Sequence, residues 1–251
     1  MQPVKAIDVK HSQATEKPER IAAWTHFAGF LLIMAGMALL GYRAQHTATG
    51  SEAVPPGQLA SHGSAVYVYL VAGIMDWALL YYCWVGVHRM GGSLGMLSGG
   101  RWKSWNDLAA DVAVTLPFWV LWEVTAYAVA KGLGPDTAKS VSSLLPQTLQ
   151  QILLWIALSI TAGFCEEIAF RGYLQRQFHA LTGSIAVAVI AQALVFGLAH
   201  AYQGWKATVT ISVLGLLYGV LAVLRRNLRA NIAAHAMSDI WEGWLKLVVW
   251  K

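Results

Sequence analysis

Seven apolar stretches of sixteen to twenty-four residues recur along the chain, at about Ile21–Tyr42, Ser64–Val87, Leu108–Ala130, Leu144–Phe164, Ser184–Ala199, Ala207–Leu224 and Asn231–Trp250. About 20 consecutive apolar residues are needed to cross the hydrocarbon of a bilayer as a helix. A spanning segment must also satisfy its own backbone groups, because no water is available there to do so. The chain is 57% hydrophobic and only 12% charged, against roughly 25% charged residues in soluble domains. The expected fold is therefore all-α, a polytopic transmembrane helix bundle of about seven spanning helices in contact with the lipid bilayer. The fifth segment is short, and is expected to be tilted, thinned around or buried in the bundle.

Residues 1–20 are polar and mixed in charge, without a signal-peptide pattern, and read as a flexible cytosolic tail. No internal repeat or soluble domain interrupts the apolar segments beyond it. Lys and Arg lie in short connections rather than in a stripe, so nucleic acid is not an expected partner. Cys83 and Cys165 both fall in apolar segments and read as small buried hydrophobes. With the N-terminus inside, the connections on the inner side carry twelve Lys and Arg and those on the outer side six. That bias favours N-inside and C-outside, with Arg225, Arg226 and Arg229 as the clearest cytosolic anchor.

Three polar islands interrupt the later apolar segments. The first contains the adjacent acids Glu166 and Glu167. A carboxylate at the edge of a membrane segment loses hydration, so its charge is costly unless paired or neutralised by a proton. Ionisable residues in such places are functional candidates by default. Glu167 and Arg171 are i,i+4 neighbours in the favourable order for an ion pair. Glu166 points about 100° away from Glu167 on the helix surface and is left without that partner. The second island ends at His200, four residues after Phe196. The third places His235 and Asp239 on one helix face.

A turn near Leu181–Ser184 would lie about sixteen residues after Glu166 and seventeen before His200. On antiparallel helices both would then stand roughly 25 Å from the turn, at one level, where they can face each other. This requires Ile168–Leu181 to continue the bundle instead of leaving the membrane at Phe164. A long or broken fourth helix is the expectation.

The pattern Glu166-Glu167-x-x-x-Arg171, Phe196-x-x-x-His200 and His235-x-x-x-Asp239 resembles the CPBP family of intramembrane proteases. That family includes the type II C-a-a-X prenyl proteases and the bacterial Abi proteins. The resemblance covers roughly residues 144–245. It divides the chain into the tail 1–20, N-terminal transmembrane helices 21–143 and a CPBP-like catalytic core 144–251. It implies a glutamate-type peptidase in which Glu166 and His200 activate a water while His235 and Asp239 stabilise the oxyanion. Glu167, Arg171 and Phe196 would support the site. The family's eukaryotic and archaeal prenyl proteases have Asn where this chain has Asp239, whereas acidic residues occur among bacterial relatives. The implied partner is a membrane-associated or lipidated protein or peptide, with any delivery partner unknown. The implied location is the bacterial inner (cytoplasmic) membrane.

Other readings stand beside this one. Glu166 and Glu167 can form a structural cluster with Arg171, His200 can be a core histidine, and His235 with Asp239 can serve helix packing. No cofactor is expected, but Glu166, His200 and His235 form a His₂Glu set, so zinc is the alternative cofactor. A bacteriocin-immunity scaffold or a proton-coupled membrane protein is the non-enzymatic alternative. Asp76, Glu123 and Glu242 read as paired acids or as facing water near a membrane edge. His26, His88 and His179 read as interfacial.

Overall fold

The computed structural model describes residues 19–47, 62–134 and 145–249. The tail assigned to 1–20 lies outside the described residues except for Glu19 and Arg20. Among the described residues every regular element is helical. In order they are α1 (Trp24–Thr47), α2 (His62–His88), the short α3 (Leu94–Ser98), α4 (Trp105–Leu133) and α5 (Leu149–Glu167). A π-helical stretch (Ile168–Leu174) then leads into α6 (Gln175–Thr182) and α7 (Ile185–Ala199). A 3₁₀ turn (Ala201–Gln203), α8 (Trp205–Arg225) and α9 (Arg229–Val249) complete the chain.

Each apolar segment has become a helix. Five helical stretches are long and apolar enough to cross a membrane: Trp24–Arg43, Ala65–His88, Trp105–Leu133, Leu149–Thr182 and Trp205–Arg225. The fifth segment forms the shorter apolar helix Ile185–Ala199. The protein is an integral, multi-pass helical bundle. Its exterior shows the inversion a lipid solvent allows, with Leu32, Leu40, Ile74 and Leu224 all about 70% exposed (73%, 69%, 68% and 74%).

The fourth segment does not end at Phe164. Helix α5, the π stretch and α6 run on as a single 34-residue helix. Thr148 starts it with a capping box: its hydroxyl accepts from the Gln151 N–H at 3.2 Å, and the Gln151 side chain accepts from the Thr148 N–H. Gly183 ends it in the left-handed conformation at φ 71°, which glycine adopts without a Cβ clash. Ser184 then caps α7, so the turn falls within the expected window. Glu166 and Glu167 consequently lie inside the bundle rather than at a membrane exit. Arg171 is an interior residue too, not a loop cation. Without it the basic residues number eleven against six, and the bias persists.

Helices in lipid gain little from burying apolar surface against each other and associate through close packing and interhelical hydrogen bonds. Gly163 shows the first. A Cβ there would lie 2.9 Å from both the Ala236 nitrogen and the Ile232 oxygen, so α5 meets α9 backbone to backbone. Gln192 shows the second: its Nε2 donates to the Gly215 carbonyl at 2.9 Å, tying α7 to α8.

The connections assigned to one side by the basic-residue count meet at one end of the bundle. There the Ile21 N–H donates to Gln177 at 2.9 Å, Arg176 donates to the Leu97 carbonyl, and the Leu228 N–H donates to Ser98. Buried Asp111 of α4 receives Arg225 at 2.7 Å and Arg229 at 2.5 Å, joining α4, α8 and α9 at that end. At the opposite end Lys206 donates to the Gly134 carbonyl at 3.1 Å.

Candidate active site

The site is built around a carboxylate that water does not reach. Glu167, fully buried, pairs through Oε1 with Arg171 Nη1 at 2.7 Å and lies 3.0 Å from His235 Nδ1. Its Oε2 accepts from Asn231 Nδ2 at 3.1 Å. A buried ion pair repays its desolvation only when the remaining lone pairs and protons are also satisfied. Here three donors converge on one carboxylate. The Arg171 guanidinium lies against two rings, 4.3 Å from the Phe196 centroid and 5.1 Å from that of Tyr218, and its Nη2 reaches the Gly215 carbonyl. Phe196 thus packs directly on the cation.

The π stretch follows immediately, and every one of its seven residues is buried. Such widened turns are rare and are found frequently at functional sites. It is braced from the N-terminal helices: the Tyr173 hydroxyl sits 2.8 Å from His26 Nδ1, and the His26 ring stacks on Tyr82 at 4.0 Å. His26 thus packs within the bundle, near the start of α1.

The ionised Glu167 can only accept, so His235 carries a proton on Nδ1. That fixes the ring and turns Nε2 towards two other acids, 3.8 Å from Glu166 Oε2 and 3.8 Å from Asp239 Oδ2. Both distances exceed a direct hydrogen bond. The Glu166 side chain is 16% exposed and that of Asp239 30%, whereas those of Glu167 and Arg171 are 0%. Glu166 Oε2 has no hydrogen-bond partner among the described residues. The adjacent acids therefore occupy different situations, one locked by three donors and one partly exposed with its inner oxygen unpartnered.

His200 caps the C-terminus of α7. Its Nδ1 donates to the Phe196 carbonyl at 2.8 Å, which leaves Nε2 as an acceptor. The expectation that His200 directly faces Glu166 is refined: no hydrogen bond joins them among the described residues. The Phe196 ring stands between the two histidines, 4.8 Å from the His200 ring and 6.2 Å from that of His235. Glu166, His200 and His235, the alternative zinc ligands, do not converge in a group of three able to hold a metal ion; among the described residues no such group occurs.

Two members of the site escaped the sequence. Asn231 bridges Glu167 and the Tyr218 carbonyl. It precedes His235 by four residues, as His235 precedes Asp239, so an i,i+4 polar ladder on the last helix was its signal. Tyr218, whose ring lies 5.5 Å from that of His235, left no signal within an apolar segment.

Fold and site together define a polytopic membrane protein with an acid–histidine centre inside its bundle. Residues 148–241 match the family model described as Rce1-like, type II CAAX prenyl endopeptidase. The matched segment is similar to that family, and the match contains all three of the motifs that suggested the resemblance. No curated protein and no solved structure matches the chain.

Proposed function

We propose that the protein is a glutamate-type intramembrane endopeptidase that hydrolyses a peptide bond of a membrane-associated or lipidated protein or peptide. The observation that carries this reading is the placement of His235. One nitrogen is anchored on buried Glu167, and the other faces the open carboxyls of Glu166 and Asp239 across gaps of 3.8 Å. Gaps of that size suit a water or a substrate oxygen held between the groups.

Glu166 takes a proton from the attacking water, and the acceptor nitrogen of His200 orients that water or shares its proton. The tetrahedral oxyanion forms on the α9 side. His235 serves it as a donor from Nε2 while still donating to Glu167 from Nδ1, so the working ring is an imidazolium. The carboxylates around it stabilise that cation, and the cation in turn stabilises the oxyanion. Glu167, Arg171 and Phe196 hold the ring and contact no reacting atom. The activity is proposed to need no metal, and the site to open towards the cytosolic side of a bacterial inner membrane.

The test uses purified full-length protein in lipid nanodiscs with a prenylated C-a-a-X peptide as probe. Glu166→Gln keeps the side-chain shape and is expected to abolish cleavage, with His200→Ala lowering it about 10²–10⁴-fold. The double variant should be scarcely worse than either single one, because residues acting as a unit are non-additive. Near-normal cleavage by Glu166→Gln would falsify the assignment.

A further inference from the structure

Helix α2 lies outside the matched segment, yet it packs along α5 beside the site. Its bundle-facing stripe reads Ala65, Tyr69, Gly73, Asp76, Leu80, Cys83 and Val87, at spacings of three and four. Ala65, Tyr69, Leu80, Cys83 and Val87 are all buried. The stripe lies along α5: the Tyr69 ring is 5.5 Å from that of Trp155, a Cβ on Gly73 would meet Leu158, and the Trp77 ring is 6.1 Å from that of Phe164. Gly73 and Asp76 thus interrupt an apolar seam beside Phe164–Glu166, near the middle of α2.

An apolar residue at 76 would complete the seam. A carboxyl there has no hydrogen bond or ion pair among the described residues to justify its desolvation. Its neighbour Trp77 packs on Phe164, two residues before Glu166, which sets Asp76 on the side of α5 that borders the acid–histidine centre. It is neither a paired acid nor one at a membrane edge. Glu166 is consequently flanked on one side by α9, with His235 and Asp239, and on the other by α2, with Asp76.

We propose that Asp76 is a further catalytic residue of this site and protonates the departing amine. The inference rests on the protease reading above. A carbonyl whose oxygen points to His235 on the α9 side can turn its nitrogen towards α2. Carboxyl groups crowded in an apolar interior share protons rather than each ionising. The water oxygen bonds to the carbonyl carbon, and its proton passes to Glu166. As the carbon–nitrogen bond breaks, the Asp76 proton goes to the nitrogen and the oxyanion returns to a carbonyl. The products are a carboxylic acid and an amine. The proton on Glu166 then returns to Asp76, and both groups are restored.

The discriminating probe is a pair of prenylated C-a-a-X peptides, one with the natural scissile amide and one with an ester at the same bond. An alkoxide leaves with far less need of a proton than an amide nitrogen. Asp76→Asn is expected to lower amide cleavage about 10²-fold or more while leaving ester hydrolysis within a few-fold. Asp76→Glu should recover part of the amide activity. Glu166→Gln must abolish both reactions, since both need the activated water. Equal losses on amide and ester, or undiminished amide cleavage, overturn the role of Asp76. Should wild type cleave the ester and amide no better than Glu166→Gln, the protease reading itself falls, and the proposal falls with it. Unfolding midpoints measured in parallel separate a misfolded variant from an inactive one, and Asp76→Glu supplies the arm that keeps a carboxyl in place.

Discussion

Nδ1 of His235 lies 3.0 Å from Oε1 of Glu167, the same oxygen that receives Arg171 at 2.7 Å. One buried carboxylate oxygen thus ties the long helix to itself and to the last helix. The ion pair and the orientation of the site histidine are a single structural event.

That coupling makes Glu167→Gln a stability variant. Removing the charge leaves Arg171 as an unpaired cation in an interior with no water, a change that typically costs about 3–5 kcal/mol. Activity should fall with the amount of folded protein. Glu167→Gln with Arg171→Met should recover much of the stability but not the orientation of His235. Denaturation in detergent, followed beside cleavage per folded molecule, checks both parts. Normal cleavage per folded molecule in the double variant would mean that Glu167 does not orient His235.

Gly163 tests the packing that brings α5 and α9 together. Gly163→Ala puts a methyl group 2.9 Å from backbone atoms of Ile232 and Ala236, which cannot swing aside as a side chain can. Overpacking of this kind typically costs about 1–3 kcal/mol. The matched control is Gly36→Ala, where a Cβ meets nothing within 4 Å and no loss is expected. Thermal unfolding of the two variants side by side gives the comparison, and equal midpoints would mean that the two helices are less tightly apposed.

Much of this arrangement was legible in the sequence. The apolar runs specify a helical bundle because a bilayer admits few alternatives, and the i,i+4 spacing of Glu167 and Arg171 specifies their pair. That spacing also separates Glu166 from Glu167 by rotation about the helix, which the open and locked environments reflect. The π stretch was not legible, and its neighbours are distant in sequence: a Cβ on Gly172 would meet Leu97 and Leu228, and Tyr173 reaches His26. Asp76 is a related case. Local pattern marks it as an acid in an apolar helix, and only the packing of α2 on α5 shows which acids surround it.

The end of the bundle where Asp111, Arg225 and Arg229 meet is the one that the basic-residue count predicts to face the cytosol. Single cysteines at positions 226 and 227 should react with a membrane-impermeant thiol reagent only after the membrane is opened, and one at position 203 before it. Arg226 and Asn227 lie between α8 and α9, and Gln203 lies at the opposite end. The reverse labelling pattern would invert the protein and place the site's opening on the outer side.

Asp239 is the remaining acid, and the anchoring of His235 decides what it can be doing. An acid that orients a histidine must hold one of its nitrogens, but Glu167 already holds Nδ1 at 3.0 Å, whereas Asp239 stands 3.8 Å from Nε2. Its backbone is fixed independently, since Trp155 Nε1 donates to the Asp239 carbonyl at 2.8 Å. Orienting the ring is therefore already done by Glu167, and the role proposed for the Asp239 side chain is contact with substrate or oxyanion beside the charge it presents to His235. Asn presents a donor there without needing a proton. Asp239→Asn should accordingly retain cleavage to within a few-fold or improve it. Asp239→Ala, which offers no donor, should lose about 10²–10³-fold, as when an oxyanion donor is removed. Steady-state cleavage of the prenylated peptide by both variants distinguishes the cases. A folded but inactive Asp239→Asn would mean that the negative charge itself is required, and that His235 depends on Asp239 to keep its second proton.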